Sequence, residues 1–157
     1  MGSGEIRDVL ARNAFFEGLA EATLDLLADH ATTCHLETNE ILFRHDDTAD
    51  RFFIVCSGRI ALEVPAIEGP NLEVQSIGPD SLLGWSWLIP PYKWQFRARA
   101  VEASELVEVD GAAIRAHCDQ DPRLGYELMK RFAGLMSERM AHARRKMMDE
   151  WNPPGFA

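Results

Sequence analysis

The chain of 157 residues has no apolar run approaching the roughly 20 residues a membrane-spanning helix needs. Its three cysteines, Cys34, Cys56 and Cys118, lie far apart. So sparse and odd a set makes no disulfide framework and fits a reducing compartment. Basic residues are the scarcer sign, 16 against 25 acidic ones, for a net charge of −9. Phosphate backbones want clustered Lys and Arg, so general nucleic-acid binding is not expected. Residues Met1 to Glu5 hold no basic stretch followed by an apolar one, so no secretory signal is read there. Internal repeats, low-complexity linkers, a glycine-rich nucleotide loop and a nucleophile–base pair are all missing from the sequence. No catalytic residue is nominated, and the chain is not expected to be an enzyme. What is present is 46% apolar and 26% charged residues, enough to fill a core. The expectation is a soluble, cytoplasmic protein with one core.

The pattern changes character twice. Residues 5–34 read as helical, with Ile6, Val9 and Leu10 at helical spacing, a break at Phe15-Phe16-Glu17-Gly18-Leu19, and a second stretch from Ala22 to Ala31. From about His35 to Val109 short strand-like pieces take over. The run Phe52-Phe53-Ile54-Val55 suits a buried strand, Arg59 to Val64 alternates like a half-buried one, and Leu72 to Ile77 alternates again. Gly69-Pro70-Asn71 and Gly78-Pro79-Asp80 mark turns, and Gln95 to Val109 holds two more strands. Short strands with regular turn signals suggest a sandwich or barrel. From Gly111 the pattern is helical to the end. Asp121-Pro122 reads as an N-cap followed by proline at the first helical position. Leu124, Leu128, Phe132, Leu135, Met136, Met140, Ala143 and Met147 then read as one apolar stripe. A helix that long outruns so small a body. It predicts a homodimer, or an unidentified protein partner, held through Leu128, Phe132, Leu135, Met136 and Met140.

The segment from Ile77 to Ala103 carries the chemistry. Here the sequence resembles the cyclic nucleotide-binding domain family, which includes the catabolite activator protein and the regulatory subunits of cAMP-dependent protein kinase. The features that match are Phe15-Phe16 before a helix, Phe52 to Ile60 with its Ser57-Gly58 turn, Gly78 and Gly84, and the strand pieces from Ala100 to Val109. The resemblance covers roughly residues 15–148. It implies an α+β fold: an antiparallel β-barrel of jelly-roll type with N-terminal helices and a long C-terminal helix. The organisation expected from it is 1–14 as an N-terminal helix or tag remnant, 15–118 as the barrel with lead-in helices, 119–150 as the long helix and 151–157 as a tail.

The resemblance implies that Gly78 and Gly84 flank a phosphate-binding cassette. In the family a glutamate after the second glycine binds the ribose 2′-hydroxyl, and an arginine further on pairs with the cyclic phosphate. Here those positions are Trp85 and Trp94, and Trp87 stands where the family has a small residue. The expected degenerate pocket comprises Gly78, Leu83, Gly84, Trp85, Ser86, Trp87, Trp94 and Gln95. Charge-assisted hydrogen bonds contribute roughly 1.5–3 kcal/mol each. Losing two sites costs about 3–6 kcal/mol, on the order of 10²–10⁴ in affinity. The leading expectation is therefore a regulatory or interaction module that does not bind cAMP or cGMP and needs no cofactor. The alternative is a small-ligand sensor, taking either a cyclic nucleotide through a rearranged Arg97 or another flat metabolite. The indoles read first as core packing and second as an aromatic pocket, and the tail as a frayed terminus rather than a cap of Trp151 or Phe156 over that pocket.

Weaker signals complete the reading. His30 and Cys34, four apart on an expected helix, offer two zinc ligands beside His35 but no third, so no metal is nominated. His45-Asp46-Asp47 with Asp50 lacks calcium-loop spacing. A metal-holding cupin-like enzyme also uses a jelly roll, but it needs clustered His and carboxylates that these strands lack. Arg139, His142, Arg144, Arg145 and Lys146 make the end of the long helix basic, as the helix dipole favours. With the sequence ending about ten residues further on, no DNA-reading domain is expected.

Overall fold

The computed structural model describes residues 1–150. The expected tail, with Trp151 and Phe156, lies outside the described residues. Helix α1 (Ser3–Arg12) leads through a 3₁₀ turn at Ala14–Phe16 into α2 (Glu21–Asp29). Eight strands follow: β1 (Ala31–Leu36), β2 (Ile41–Phe43), β3 (Arg51–Ser57), β4 (Ile60–Val64), β5 (Leu72–Ile77), β6 (Leu82–Leu83), β7 (Arg97–Ala100) and β8 (Ser104–Asp110). Helices α3 (Gly111–Gln120) and α4 (Pro122–Glu150) close the order. The strands form two antiparallel sheets, β1-β8-β3-β6 and β2-β7-β4-β5, with the helices outside the first. This is the barrel with flanking helices that the resemblance implied.

The β3–β8 sheet is buried on both faces, which explains its unbroken apolar runs. Side chains alternate across a strand. Phe52 and Ile54 therefore join Val107 and Val109 in a core beneath the helices, while Phe53, Val55 and Leu106 face the barrel interior. The helix-side core is closed by Leu10 of α1, Leu27 of α2, Ile114 of α3, and Leu128 and Phe132 of α4. The turn after β3 needs Gly58: its φ is +91°, and a Cβ there would stand 2.6 Å from the Ala103 carbonyl oxygen. Asp121 separates the last two helices, its carboxylate accepting from the Arg123 and Leu124 amides at 3.2 and 3.4 Å. That is the cap expected before Pro122.

Two expectations need correction. The second N-terminal helix stops at Asp29, and Ala31–Leu36 is a strand paired in register with β8 from Ala31–Val109 to Leu36–Ser104. β-branched Thr32 and Thr33 suit the pleat, and the strand edge supplies hydrogen bonds that another helical turn would forgo. His30 and Cys34 therefore do not share a helix face, and the i, i+4 ligand geometry is absent. The His30 ring lies 5.5 Å from that of His117 instead. The α4 stripe also divides. Leu128 and Phe132 are fully buried on the chain's own body, whereas Met140 is 72% exposed. Leu128, Phe132, Leu135 and Arg139 follow one another at four-three-four spacing on the inner face, and the methionines one position further on turn away from it. Leu128 and Phe132 thus cannot belong to an intermolecular seam.

Candidate functional site

The interior of the barrel near β6 is where the resemblance places a ligand. Gly84 follows β6 with φ +101°, a left-handed conformation that side chains rarely adopt. The chain then passes through a 3₁₀ turn, Ser86–Leu88, and returns through Trp94 to β7. Three residues per turn break the two-residue alternation of a strand. Trp85 and Trp87 consequently diverge. Trp87 turns to the helix side and is fully buried, stacked on Phe52 at 5.1 Å and edge-on to Phe132 at 5.3 Å. It closes against Gly111, where a Cβ would stand 3.0 Å from the indole.

Trp94 goes the other way, into the barrel. It is 2% exposed and lies parallel to Phe43 with ring centroids 3.8 Å apart. Its ring covers Gly84 so closely that a Cβ there would be 2.8 Å from Trp94 Cη2. Two backbone bonds hold the segment, Trp94 N–H to the Asp47 carbonyl at 3.0 Å and Asp46 N–H to the Trp94 carbonyl at 2.9 Å. Trp85 stays half-buried and meets Phe96 edge-on at 6.5 Å.

Between these rings remains a cavity of about 20 Å³, lined by Leu83, Gly84, Trp85, Ser86, Trp94 and Gln95 together with Phe43, Leu62, Phe96 and Arg139. That space is about enough for one water. Small-molecule sites span roughly 300–1,000 Å³. Six of the eight expected pocket residues therefore come together, while Gly78 and Trp87 do not line the cavity. Gly78 sits against the Arg59 guanidinium, and Trp87 serves the helix-side core.

Arg97 and Arg99 stand on the outward face of β7, alternating with buried Ala98 and Ala100. Both reach Glu63, across on β4, whose carboxylate is 7% exposed. Arg97 donates to Glu63 Oε1 through Nη2 at 2.7 Å and through Nε at 3.1 Å. Burial pushes the Glu63 carboxyl up, but the hydrogen bonds from Arg97 and Arg99 outweigh it and hold the group below its ordinary range. Arg97 is thus committed to a carboxylate outside the barrel.

Sequence reasoning missed Phe43, Leu62, Phe96 and Arg139 as lining residues. Arg139 carried a signal: it continues the Leu128, Phe132, Leu135 spacing that marks the inner face of α4. Arg139 is 8% exposed, donates through Nη2 to the Leu82 carbonyl, and lies 5.9 Å from the Trp85 ring.

Comparisons with known proteins agree with this architecture. The family model described as the cyclic nucleotide-binding domain matches residues 33–121. The CRP-like cAMP-activated global transcriptional regulator of Mycobacterium tuberculosis is 19% identical over 142 residues, covering 90% of this chain and 62% of the regulator. The chain thus spans about three-fifths of that relative's length. A cyclic nucleotide-binding domain from Methylobacillus flagellatus superposes with a TM-score of 0.77 at 12% identity, covering 98% of this chain and 86% of that one. A cyclic nucleotide-binding protein from Geobacter metallireducens gives 0.74 at 24% identity, covering 89% and 98%. A cyclic nucleotide-binding-like protein from Brucella abortus gives 0.60 at 27% identity, covering 71% and 96%. With eight strands in two sheets, helices on one side and a family match across more than half its length, the chain belongs to the cyclic nucleotide-binding domain family.

Proposed function

We propose that this chain is a non-catalytic regulatory module whose barrel does not recognise cAMP or cGMP, and which acts through α4. The observation that carries this reading is the cavity of about 20 Å³ between Trp94, Phe43, Trp85 and Phe96. A cyclic nucleotide is a monoanion with a polar ribose. Burying it requires a cation and hydrogen-bond partners, or its desolvation goes uncompensated. The cavity is too small for it, and the positions that would carry an acid and a base carry indoles.

Output runs through the methionine face of α4, where Met140, Ala143 and Met147 border a groove whose other wall is Leu72 and Val74 of β5. Met129, Ala133, Met136, Met140, Ala143 and Met147 follow one another at unbroken four-three spacing. That is a heptad seam of about 27 Å at 1.5 Å per residue. Met129, Met140 and Met147 are exposed. A second copy of α4 supplies the matching seam without any further partner, and it makes a symmetric dimer.

Isothermal calorimetry with cAMP and with cGMP tests the pocket. No binding tighter than about 100 µM, roughly 5.5 kcal/mol, is expected for either. A dissociation constant below that overturns the reading. The converse variant, Trp85→Glu with Trp94→Arg, recovers binding where the rest of the cavity still fits the nucleotide.

A further inference from the structure

A second opening lies outside the barrel, and it surrounds a buried charge. Among the described residues Arg139 is the one basic side chain that is buried outright. It makes no ion pair among those residues, and its Nη1 is buried without a hydrogen-bond partner. Glu63, the buried carboxylate, offers the contrast of two arginines. A buried cation without an anion is among the costliest groups a fold carries. Burial accordingly draws the Arg139 guanidinium down to about 10, against the opposing pull of Glu138.

Arg139 lines two spaces. One is the small aromatic cavity, the other a polar cleft of about 630 Å³ between α4, the end of β5 with the segment leading to β6, and the turn at Asn13–Phe15. The cleft falls within the size range of small-molecule sites, roughly 300–1,000 Å³. Arg139, His142 and Arg145, one turn apart, line its α4 wall, and the Ser76 and Ser81 hydroxyl-bearing residues line the facing wall. Its two carboxylates, Asp80 and Glu138, are exposed at the rim, and neither pairs with Arg139. They leave the cleft with a cationic wall and acceptors at its edge.

From this geometry we propose that the cleft binds a small metabolite through a carboxylate or phosphate group, with Arg139 as its counter-ion and His142 and Arg145 as further donors. Guanidinium is suited to such a group because its planar fork presents two N–H donors to two oxygens. Asp80 and Glu138 then accept from hydroxyl or amine groups on the rest of the molecule. The proposal is independent of whether the barrel binds a nucleotide, since Arg139 is the one residue that lines both the cleft and the barrel cavity.

Titration with inorganic phosphate and with acetate, at constant ionic strength set by sodium chloride, tests it. Trp85 beside the guanidinium supplies a fluorescence signal, and the thermal midpoint supplies a second. Phosphate or acetate is expected to give a saturable change that chloride does not. Arg139→Met is expected to weaken that binding at least ~10-fold, a factor matching one charge-assisted interaction. Its thermal midpoint should not fall, because the variant removes an uncompensated buried charge. Arg145→Ser, at an exposed position, tests the site without touching the core and is expected to weaken binding roughly 3- to 10-fold. Response equal to that of chloride, or unchanged affinity in both variants, overturns the proposal. Cyclic AMP competing with phosphate while Arg139→Met leaves that competition intact overturns it as well.

Discussion

Trp94→Ala gives the sharpest test of how the barrel interior is filled. Trp94 is buried, stacked face to face on Phe43 and laid over Gly84. Truncating a buried tryptophan to alanine costs about 3–5 kcal/mol, from lost transfer energy and the cavity left behind. One term runs the other way. Trp94 Nε1 is buried without a hydrogen-bond partner among the described residues. Leaving a neutral donor such as this unmet costs about 1 kcal/mol, the low end of the range for buried polar groups, which the truncation returns. The expected net loss is therefore about 2–4 kcal/mol. Urea unfolding reads it as a lower midpoint with an unchanged slope, the mark of a change in stability without a change in compactness.

The vacated space matches the ligand removed from it, so free indole should bind there. At ten times its dissociation constant a ligand specific for the folded state adds about 1.4 kcal/mol. Indole should raise the midpoint of Trp94→Ala and leave the unsubstituted protein unchanged. A loss under about 1 kcal/mol would mean that Trp94 is not a packing residue. Equal indole effects on both proteins would mean that the substitution opens no cavity. Either result removes the ground for an occupied barrel.

Two further expectations concern charge and assembly. Met140→Glu places a carboxylate in the centre of the proposed α4 seam, at a position 72% exposed, and should leave the stability within about 0.5 kcal/mol while converting the proposed dimer to monomer in sedimentation; a sedimenting species unchanged by the substitution refutes the seam. Glu63→Gln should cost about 1–3 kcal/mol near neutral pH, towards the lower figure because Arg97 and Arg99 are 32% and 25% exposed and water screens them. The Glu63 carboxyl is held below its ordinary range, so its contribution is present above the unfolded value near ~4.3 and is lost as pH falls through the folded one. Melting curves of the two proteins should therefore converge in acid, and a gap that widens there contradicts the assignment.

The parts of the fold legible in the sequence are those where one physical requirement dominates. Phe52 to Val55 announced a strand because both faces of β3 are buried, one by the helices and one by the barrel. Asp121-Pro122 announced a helix start because the cap is local. Strand β1 stayed hidden, since of its six residues only Leu36 is fully buried and its order comes from pairing with β8. Strand β6 is two residues long, too short for any periodicity. In the site, Trp94 and Trp85 were placed by the resemblance, but the divergence of Trp87 needs the 3₁₀ turn to be known. The division of α4 was concealed for a related reason. Two stripes offset by one residue look like one broad stripe until the body beneath them fixes which faces inward.

Gly84 shows how little a matching glycine says about a ligand. The resemblance places it beside a phosphate, yet here two demands made by the chain's own atoms already require it: φ of +101°, and an indole within 2.8 Å of where a Cβ would sit. The proposed loss of recognition rests instead on positions 85 and 94, where the resemblance implies an acid and a base and the sequence has indoles. A double-mutant cycle separates the two demands. Gly84→Ala alone meets both the backbone strain, about 1–3 kcal/mol, and the clash with Trp94. In the Trp94→Ala background only the strain remains. The two substitutions should therefore be less damaging together than their separate costs imply, by at least about 1 kcal/mol. Costs that add within about 0.5 kcal/mol would show that the ring does not press on residue 84. The glycine would then have to be explained by backbone strain alone.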